Sequence, residues 1–334
     1  SEVYVLVIGE SSTASHWQLN GYERATNPRL SQVTGLVSFR NVVTPFPATR
    51  LAVPVILTGA QESQSHRAPL GQASLATLFR QAGFTTYWLS NQAPLGLHDS
   101  IIAVHAYEAD YTLYTNADDH TGRGQDDGAL LPPFRRFLAE PGARKLFVVH
   151  LMGSHRAYTK RYPSAFAYFQ PTESGDGADA YTAERNAYDN SIRYTDHVLA
   201  EMIAALEADP ERHAALLYLS DHGETMPSAA CGETGHGRNN EDDYRVSALL
   251  WLSPAYRAAH PDVLPQAQAR QDAPLYSPGA FHTLAELAGI RHITQQPQAS
   301  WISPLWQAAP RWTNTVPDFD RALRIPPCSK LKMP

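Results

Sequence analysis

Two short apolar runs stop abruptly at hard, charged side chains: residues 3–8 lead into Glu10, and residues 214–219 lead into Asp221-His222. Continuous runs rich in Val, Leu and Ala suit strands buried on both faces of a parallel sheet. In an open α/β sheet the carboxyl ends of parallel strands converge on one crevice, so residues far apart in sequence meet there. The two runs therefore read as two halves of one metal site built from Glu10, Asp221 and His222. Helix capping by the carboxylates is the plainer alternative. Two strand-terminal carboxylates with an adjacent imidazole exceed what capping requires.

The same pattern recurs along the chain. Apolar runs at 3–8, 36–43, 85–89, 145–151, 215–219 and 246–252 alternate with helical spacing, which predicts an α/β fold with a mainly parallel central sheet and helices on both faces. Ser74 is placed to cap a helix carrying Leu75, Leu78, Phe79 and Ala82, with Gly83 as its stop. The longest helix is expected over about 183–206, and a further one over 281–288 before Gly289. Polar, aperiodic stretches at 118–128 and 170–180 read as surface loops. After about residue 303 recurrent prolines make a regular element unexpected, so the end of the chain reads as an extended tail wrapped on a single domain spanning 1–334.

Composition narrows the class of function. The 334 residues are 43% hydrophobic and 10% aromatic, which suits one large globular domain. Lys and Arg number 27 against 33 Asp and Glu, a net charge of −6 with no basic block, which argues against a nucleic-acid partner. No stretch reaches the roughly 18 apolar residues of a membrane span. A core strand starting almost at residue 1 suggests a segment upstream of this chain. Cys231 and Cys328 form no CxxC pair. They leave open a single disulfide, which requires Cα atoms within about 7 Å.

Polar side chains stand at four expected strand ends: Glu10, Asn91, His150 with nearby His155, and Asp221-His222. Oxygen ligands with one imidazole suit zinc or manganese equally. His236 lies in a Gly-His-Gly segment that either folds back over the site or carries an ordinary surface histidine. For a nucleophile, Thr49 follows the second run at the start of a short helix, where the positive helix end favours an attacking oxygen and a phosphate. Position alone slightly favours an ordinary N-cap, because Thr44 and Thr58 lie nearby and nothing in the spacing ranks them.

The stretch Val5-Leu6-Val7-Ile8-Gly9-Glu10-Ser11-Ser12, the segments Asn20-Gly21-Tyr22-Glu23-Arg24 and Asn27-Pro28, and Ser220-Asp221-His222-Gly223-Glu224 together resemble the lipopolysaccharide phosphoethanolamine transferases, members of the alkaline phosphatase and sulfatase superfamily. The resemblance continues in order through His150-Leu151-Met152-Gly153-Ser154-His155, Arg161-Tyr162-Pro163 and Tyr188-Asp189-Asn190. It implies an alkaline phosphatase/sulfatase-like fold with Glu10, Asp221 and His222 as ligands of a catalytic zinc and Thr49 as the metal-touching nucleophile. His155 and His236 match histidines around the transferred phosphate or a second zinc, and Asn91-Gln92 are expected to face the substrate.

The implied activity moves phosphoethanolamine from phosphatidylethanolamine to lipopolysaccharide through a covalent intermediate on Thr49. The implied setting is the periplasmic face of the bacterial inner membrane, with N-terminal transmembrane helices absent from this chain and polymyxin resistance as an associated trait. Lipid A-modifying members carry a different nucleophile segment and several disulfides. Here Pro47-Ala48-Thr49-Arg50, two cysteines and Gly237-Arg238-Asn239-Asn240-Glu241-Asp242 resemble more the branch that modifies core heptose. A sulfatase would need a Cys or Ser for formylglycine where Thr49 stands. A phosphoglycerol transferase shares the chemistry with a different lipid donor, and an inactive glycan-binding module would keep the fold without turnover.

Overall fold

The computed structural model describes residues 1–60, 72–94, 100–116, 124–174 and 179–334. Two stretches expected as loops fall partly outside them, at 118–123 and 175–178.

Among the described residues the chain is organised around an eight-stranded sheet: β1 (Glu2–Gly9), β2 (Leu36–Val43), β3 (Thr85–Ser90), β4 (Tyr111–Tyr114), β5 (Arg144–His150), β6 (His213–Ser220), β7 (Arg245–Leu252) and β8 (Leu275–Tyr276). Their order across the sheet is β4-β3-β5-β1-β6-β7-β2-β8. β1 lies at the centre, parallel to β5 and β6. Only β7 among these strands runs against its neighbours, pairing antiparallel with both β6 and β2. A second, two-stranded sheet joins β9 (Leu323–Ile325) to β10 (Lys330–Lys332).

Alternation along β1 explains why its run is continuously apolar. Val3, Val5 and Val7 enter one core cluster, while Tyr4, Leu6 and Ile8 enter the other. Successive side chains of a strand point to opposite faces, so both faces of β1 are covered. One cover holds α4 (Leu131–Ala139) and α5 (Ala180–Glu207). The other holds α1 (Thr49–Thr58), α2 (Leu75–Gln81), α3 (Ser100–Ala106) and, following the short helices α6 (Glu241–Tyr244), α7 (Pro254–Ala259) and α8 (Val263–Ala269) in the chain, α9 (Gly279–Leu287). Each fully buried Val, Leu or Ile contributes about 1.5–3 kcal/mol relative to exposure.

The expected α/β architecture is present, with four differences in detail. The antiparallel course of β7 was not anticipated, because burial on both faces gives the same apolar run in either direction. β4 and β8 were missed as short, weakly patterned strands. The tail carries the β9–β10 hairpin where no regular element was expected: Pro326 and Pro327 occupy its turn, where no ladder hydrogen bond is needed. The stretch 118–128 is not simply an exposed loop, because its described end carries the buried Asp127 in a short 3-10 turn.

Ser74 precedes α2 as expected, yet its side chain makes no cap hydrogen bond there. It donates instead to Glu108 Oε2 at 2.6 Å. The cap of α5 is Asp179, whose carboxylate accepts from Thr182 N at 2.7 Å.

Candidate active site

Strand register assembles the site. Gly9 of β1 pairs with Ser220 of β6, and Asp221 N donates to Gly9 O at 3.1 Å, so Glu10 and Asp221 leave the sheet side by side. Ile8 and Ser90 both pair with His150 of β5, which brings the segments after β1, β3 and β5 to the same edge. Glu10, Asp221 and His222 are all buried.

Thr49 is the first residue of α1, and the N-cap is Ala48. Its hydroxyl therefore does not cap the helix. It donates to Glu10 Oε2 at 2.9 Å and lies 3.4 Å from His222 Nε2. The rival threonines are engaged locally: Thr44 donates to Phe46 O at 3.3 Å and Thr58 to Pro54 O at 2.8 Å. Geometry thus ranks the three where sequence position did not.

The ligand set fits a divalent cation. Donor atoms of Glu10, Asp221 and His222 lie within 4.8 Å of one another. His222 Nδ1 donates to Gly223 O at 2.8 Å, which leaves Nε2 available to a cation, 3.1 Å from Glu10 Oε1 and 3.6 Å from Asp221 Oδ2. Tetrahedral ligands about 2.0 Å from a zinc ion stand about 3.3 Å apart, and the Thr49, Glu10, Asp221 and His222 contacts bracket that spacing. Among the described residues Asp221 Oδ2 is buried without a hydrogen-bond partner, an expensive state for a carboxylate oxygen unless a cation meets it.

Electrostatics make the same demand. Burial works against charge on Glu10, yet the hydrogen bond and charge of His222, with His155 and His236 beyond, hold its carboxyl well below the usual range. Burial, then the Glu10 charge, push Asp221 up to about 7. Burial would lower His222, but the Asp221 charge and the Glu10 contact push it up to about 10. Two carboxylates competing for one positive imidazole is the imbalance that a divalent ion removes.

Around this group the expected residues separate. Gln92 donates to Glu10 Oε2 at 3.1 Å and to Leu151 O at 2.8 Å, so it steadies a ligand directly. Asn91, expected to face substrate, is instead buried among protein groups: it donates to Gln125 O and Asp127 Oδ1, each at 2.8 Å, and accepts from Thr115 at 2.7 Å. His150 is likewise buried, and its ring packs against Trp88. His155 is half-buried, with Nδ1 2.6 Å from Arg156 O.

His236 does fold back over the site, its ring packed against His222 with centroids 4.2 Å apart and planes tilted by 47°. Its Nδ1 lies 2.9 Å from Glu224 Oε2. Glu224 is buried and also accepts from Tyr158 OH at 2.6 Å. His222, Glu224 and His236 form a second group of ligand-capable atoms within 4.8 Å. A third, Cys231 with Glu233 and Cys328, is closed to metal because the two cysteines form a disulfide with Cα atoms 5.1 Å apart.

Three supporting residues escaped the sequence reading. Glu224 stood in the quoted Asp-His-Gly-Glu segment without a role. Asp127 accepts from Met152 N and Gly153 N at 2.8 Å each as well as from Asn91, tying the end of β3 to the turn that leads to His155. Tyr188 donates to Ser11 O at 2.7 Å and accepts from Thr13 N at 2.9 Å, bracing the turn that follows Glu10.

The chain matches the family described as Sulfatase over residues 2–290. It belongs to the sulfatase family. Among relatives of this sulfatase-family chain, phosphoethanolamine transferase EptC of Escherichia coli (strain K12) is 32% identical over 338 residues, covering 95% of this chain and 57% of the relative. Phosphoethanolamine transferase CptA of Salmonella typhimurium is 33% identical over 338 residues with the same coverage. The chain therefore spans little more than half the length of these curated relatives. The crystal structure of the C-terminal periplasmic domain of EptC from Escherichia coli, in complex with Zn, superposes with a TM-score of 0.86 at 30% identity, covering 95% of this chain and 92% of that one. The soluble domain of lipooligosaccharide phosphoethanolamine transferase A from Neisseria meningitidis shares the fold, with a TM-score of 0.80 at 22% identity over 92% of this chain and 93% of that one. The resemblance read from the motifs and the alkaline phosphatase/sulfatase architecture are both borne out.

Proposed function

We propose that this sulfatase-family chain is the catalytic part of a zinc-dependent phosphoethanolamine transferase. Its donor would be phosphatidylethanolamine and its acceptor lipopolysaccharide, with core heptose favoured over lipid A. The observation that carries the reading is Thr49 Oγ1, placed 2.9 Å from Glu10 and 3.4 Å from His222 among the candidate ligands. A hydroxyl there suits a nucleophile, whereas a sulfatase needs a formylglycine precursor that Thr49 does not provide.

Glu10, Thr49, Asp221 and His222 would hold the zinc, which lowers the pKa of an oxygen close to it and neutralises phosphoryl charge. Thr49 Oγ1 attacks phosphorus, the bond to the diacylglycerol oxygen breaks, and the threonine proton ends on that leaving oxygen. Phosphoethanolamine remains on Thr49. An acceptor sugar hydroxyl then attacks the same phosphorus and Thr49 regains a proton, giving ping-pong kinetics. His236, fixed through Nδ1 by Glu224, offers its other ring nitrogen to the phosphoryl oxygens or the travelling proton. His155 flanks the same space and is close enough for its charge to act on Glu10.

The Zn complex of the EptC domain supports zinc over manganese, and the disulfide suits an oxidising compartment such as the periplasm. Among the described residues no helix is long and apolar enough to cross a membrane. Attachment to the inner membrane would therefore lie in the part of the relatives that this chain does not cover.

Incubation of the zinc-loaded chain with phosphatidylethanolamine should add one phosphoethanolamine, mapped by peptide mass analysis to Thr49. Phosphatidylglycerol run in parallel tests the phosphoglycerol alternative. An adduct on Thr44 or Thr58, or full turnover by Thr49→Ala, would sink the assignment.

A further inference from the structure

One cavity opens beside His236, and a second shares Arg156 with it. The nearer, about 330 Å3, is lined by His236, Glu224, Arg156 and Arg238. The outer, about 440 Å3, is lined by Arg156, Thr159, Thr172, Glu173, Ser174 and Glu184, together with small alanines from α5. Arg156 borders both. Its guanidinium stands 3.7 Å from Glu184 Oε1, and the same carboxylate oxygen accepts from Thr234 of the nearer cavity at 2.8 Å. Tyr158 also lines the outer cavity, and its hydroxyl reaches Glu224, the residue that fixes His236. The outer cavity is therefore linked to the nearer one through Arg156, and to the Glu224–His236 pair through Tyr158.

From this lining we infer that the outer cavity is the subsite for the acceptor sugar, an inference that rests on the transferase reading above. Its size falls within the range of small-molecule sites. Its lining combines a guanidinium (Arg156), carboxylates (Glu173, Glu184) and hydroxyls (Thr159, Thr172, Ser174), the mixture of donors and acceptors that the vicinal hydroxyls of a sugar require. A site built for phosphate alone would be lined chiefly by cations. Ala180, Ala183 and Ala187 add small apolar side chains to the lining, against which the carbon face of a sugar ring can pack. Arg156, hinged between the two cavities, positions the sugar so that one hydroxyl enters the nearer cavity. There that oxygen forms the new bond to phosphorus as the bond to Thr49 Oγ1 breaks, and the hydroxyl proton passes to Thr49.

Core oligosaccharide freed from lipopolysaccharide by mild acid is the probe. Binding to the zinc-loaded Thr49→Ala chain, which retains the cavity without turnover, is followed by calorimetry. Adding Arg156→Ala, or Thr172→Trp at the exposed rim, should weaken binding at least tenfold. In the Thr49 chain the same changes should raise the KM for the oligosaccharide more than they lower kcat. Thermal melting checks that both variants are folded. Unchanged affinity in both, or no saturable binding to the parent chain, overturns the subsite. Loading of Thr49 by phosphatidylethanolamine is measured separately, so failure of the transferase reading is distinguishable from failure of the subsite.

Discussion

At the scale of single residues, the turn after Glu10 shows how much of the site depends on side chains that never meet substrate. Ser11 adopts φ +54, a left-handed conformation that costs a non-glycine residue about 1–2 kcal/mol. In return its amide donates to Asp221 Oδ1 at 3.2 Å and its hydroxyl to Glu10 Oε1 at 2.8 Å, aligning both candidate ligands. The phenol of the buried Tyr188 holds this conformation by serving Ser11 O and Thr13 N together. Tyr188→Phe keeps the ring and removes both bonds. It should weaken zinc binding about 10–100-fold, the usual cost of losing a group that orients a ligand, as read by competition with a chromogenic chelator. Unaltered affinity would show that packing alone fixes the turn. Asp221→Ala should lose zinc altogether in the same assay, since it removes a ligand itself.

Glu10, Asp221 and His222 were legible because hard ligands at the ends of apolar runs have few other uses. Thr49 stood out from its neighbours only through family motifs: its distinguishing property is an orientation across 39 residues toward Glu10, and neither helix position nor residue type encodes that. Asn91 misled for the converse reason. A polar residue at a strand end was expected to face the crevice, but the chain turns its amide inward to satisfy Asp127, a residue hidden in a stretch whose composition reads as loop.

At the scale of elements, continuous apolar runs located six strands closely because burial on both faces leaves no polar alternation to blur them. Strand direction was not legible, since it depends on how the chain returns between β6 and β7. Helix α1, which begins at Thr49, is secured at its far end by Gly59, whose φ is +69 and whose amide donates to Val55 O at 2.9 Å. A Cβ there would stand 2.8 Å from Phe281 and 2.9 Å from His282 Nε2 on α9. Gly59→Ala should therefore cost about 1–3 kcal/mol from the left-handed backbone and the clash, visible as a lower Tm. A neutral effect would mean that α9 yields freely.

The same contact carries a pH dependence. Burial, aided by His292, depresses His282 to about 4 from an ordinary value near 6.5. The unfolded chain then takes up a proton in a range where the folded chain does not. Stability from this group is complete above about 6.5 and falls as pH drops toward 4. His282→Gln should flatten the denaturation midpoint across that window, and an unchanged slope would assign the loss to other groups.

At the scale of the whole molecule, the tail beyond residue 303 works as a buttress. Val316, Phe319, Ala322 and Leu331 pack with Val43, at the end of β2, and Tyr244, just before β7. Asn314 N donates to Pro45 O at 3.0 Å, four residues before Thr49. The hairpin then grips the loop that bears His236: Leu331 N donates to Asn239 O at 2.8 Å, Glu241 N to Ser329 O at 3.0 Å, and Lys330 Nζ lies 3.6 Å from Glu233. The disulfide between Cys231 and Cys328 makes this grip covalent across 97 residues of sequence. Closing a loop of that length restricts the unfolded chain and typically contributes about 2–4 kcal/mol. Sequence left the bond open because pairing depends on a Cα separation that only the folded tail defines.

Cys328→Ser should accordingly lower Tm by several degrees and match the effect of reductant on the unmodified chain. Its chemical consequence should be selective, because Glu10, Asp221 and His222 stand on the central strands while His236 depends on the clamped loop. Zinc content should be retained and loading of Thr49 slowed. Loss of zinc with the disulfide would show instead that the tail supports the ligand strands themselves.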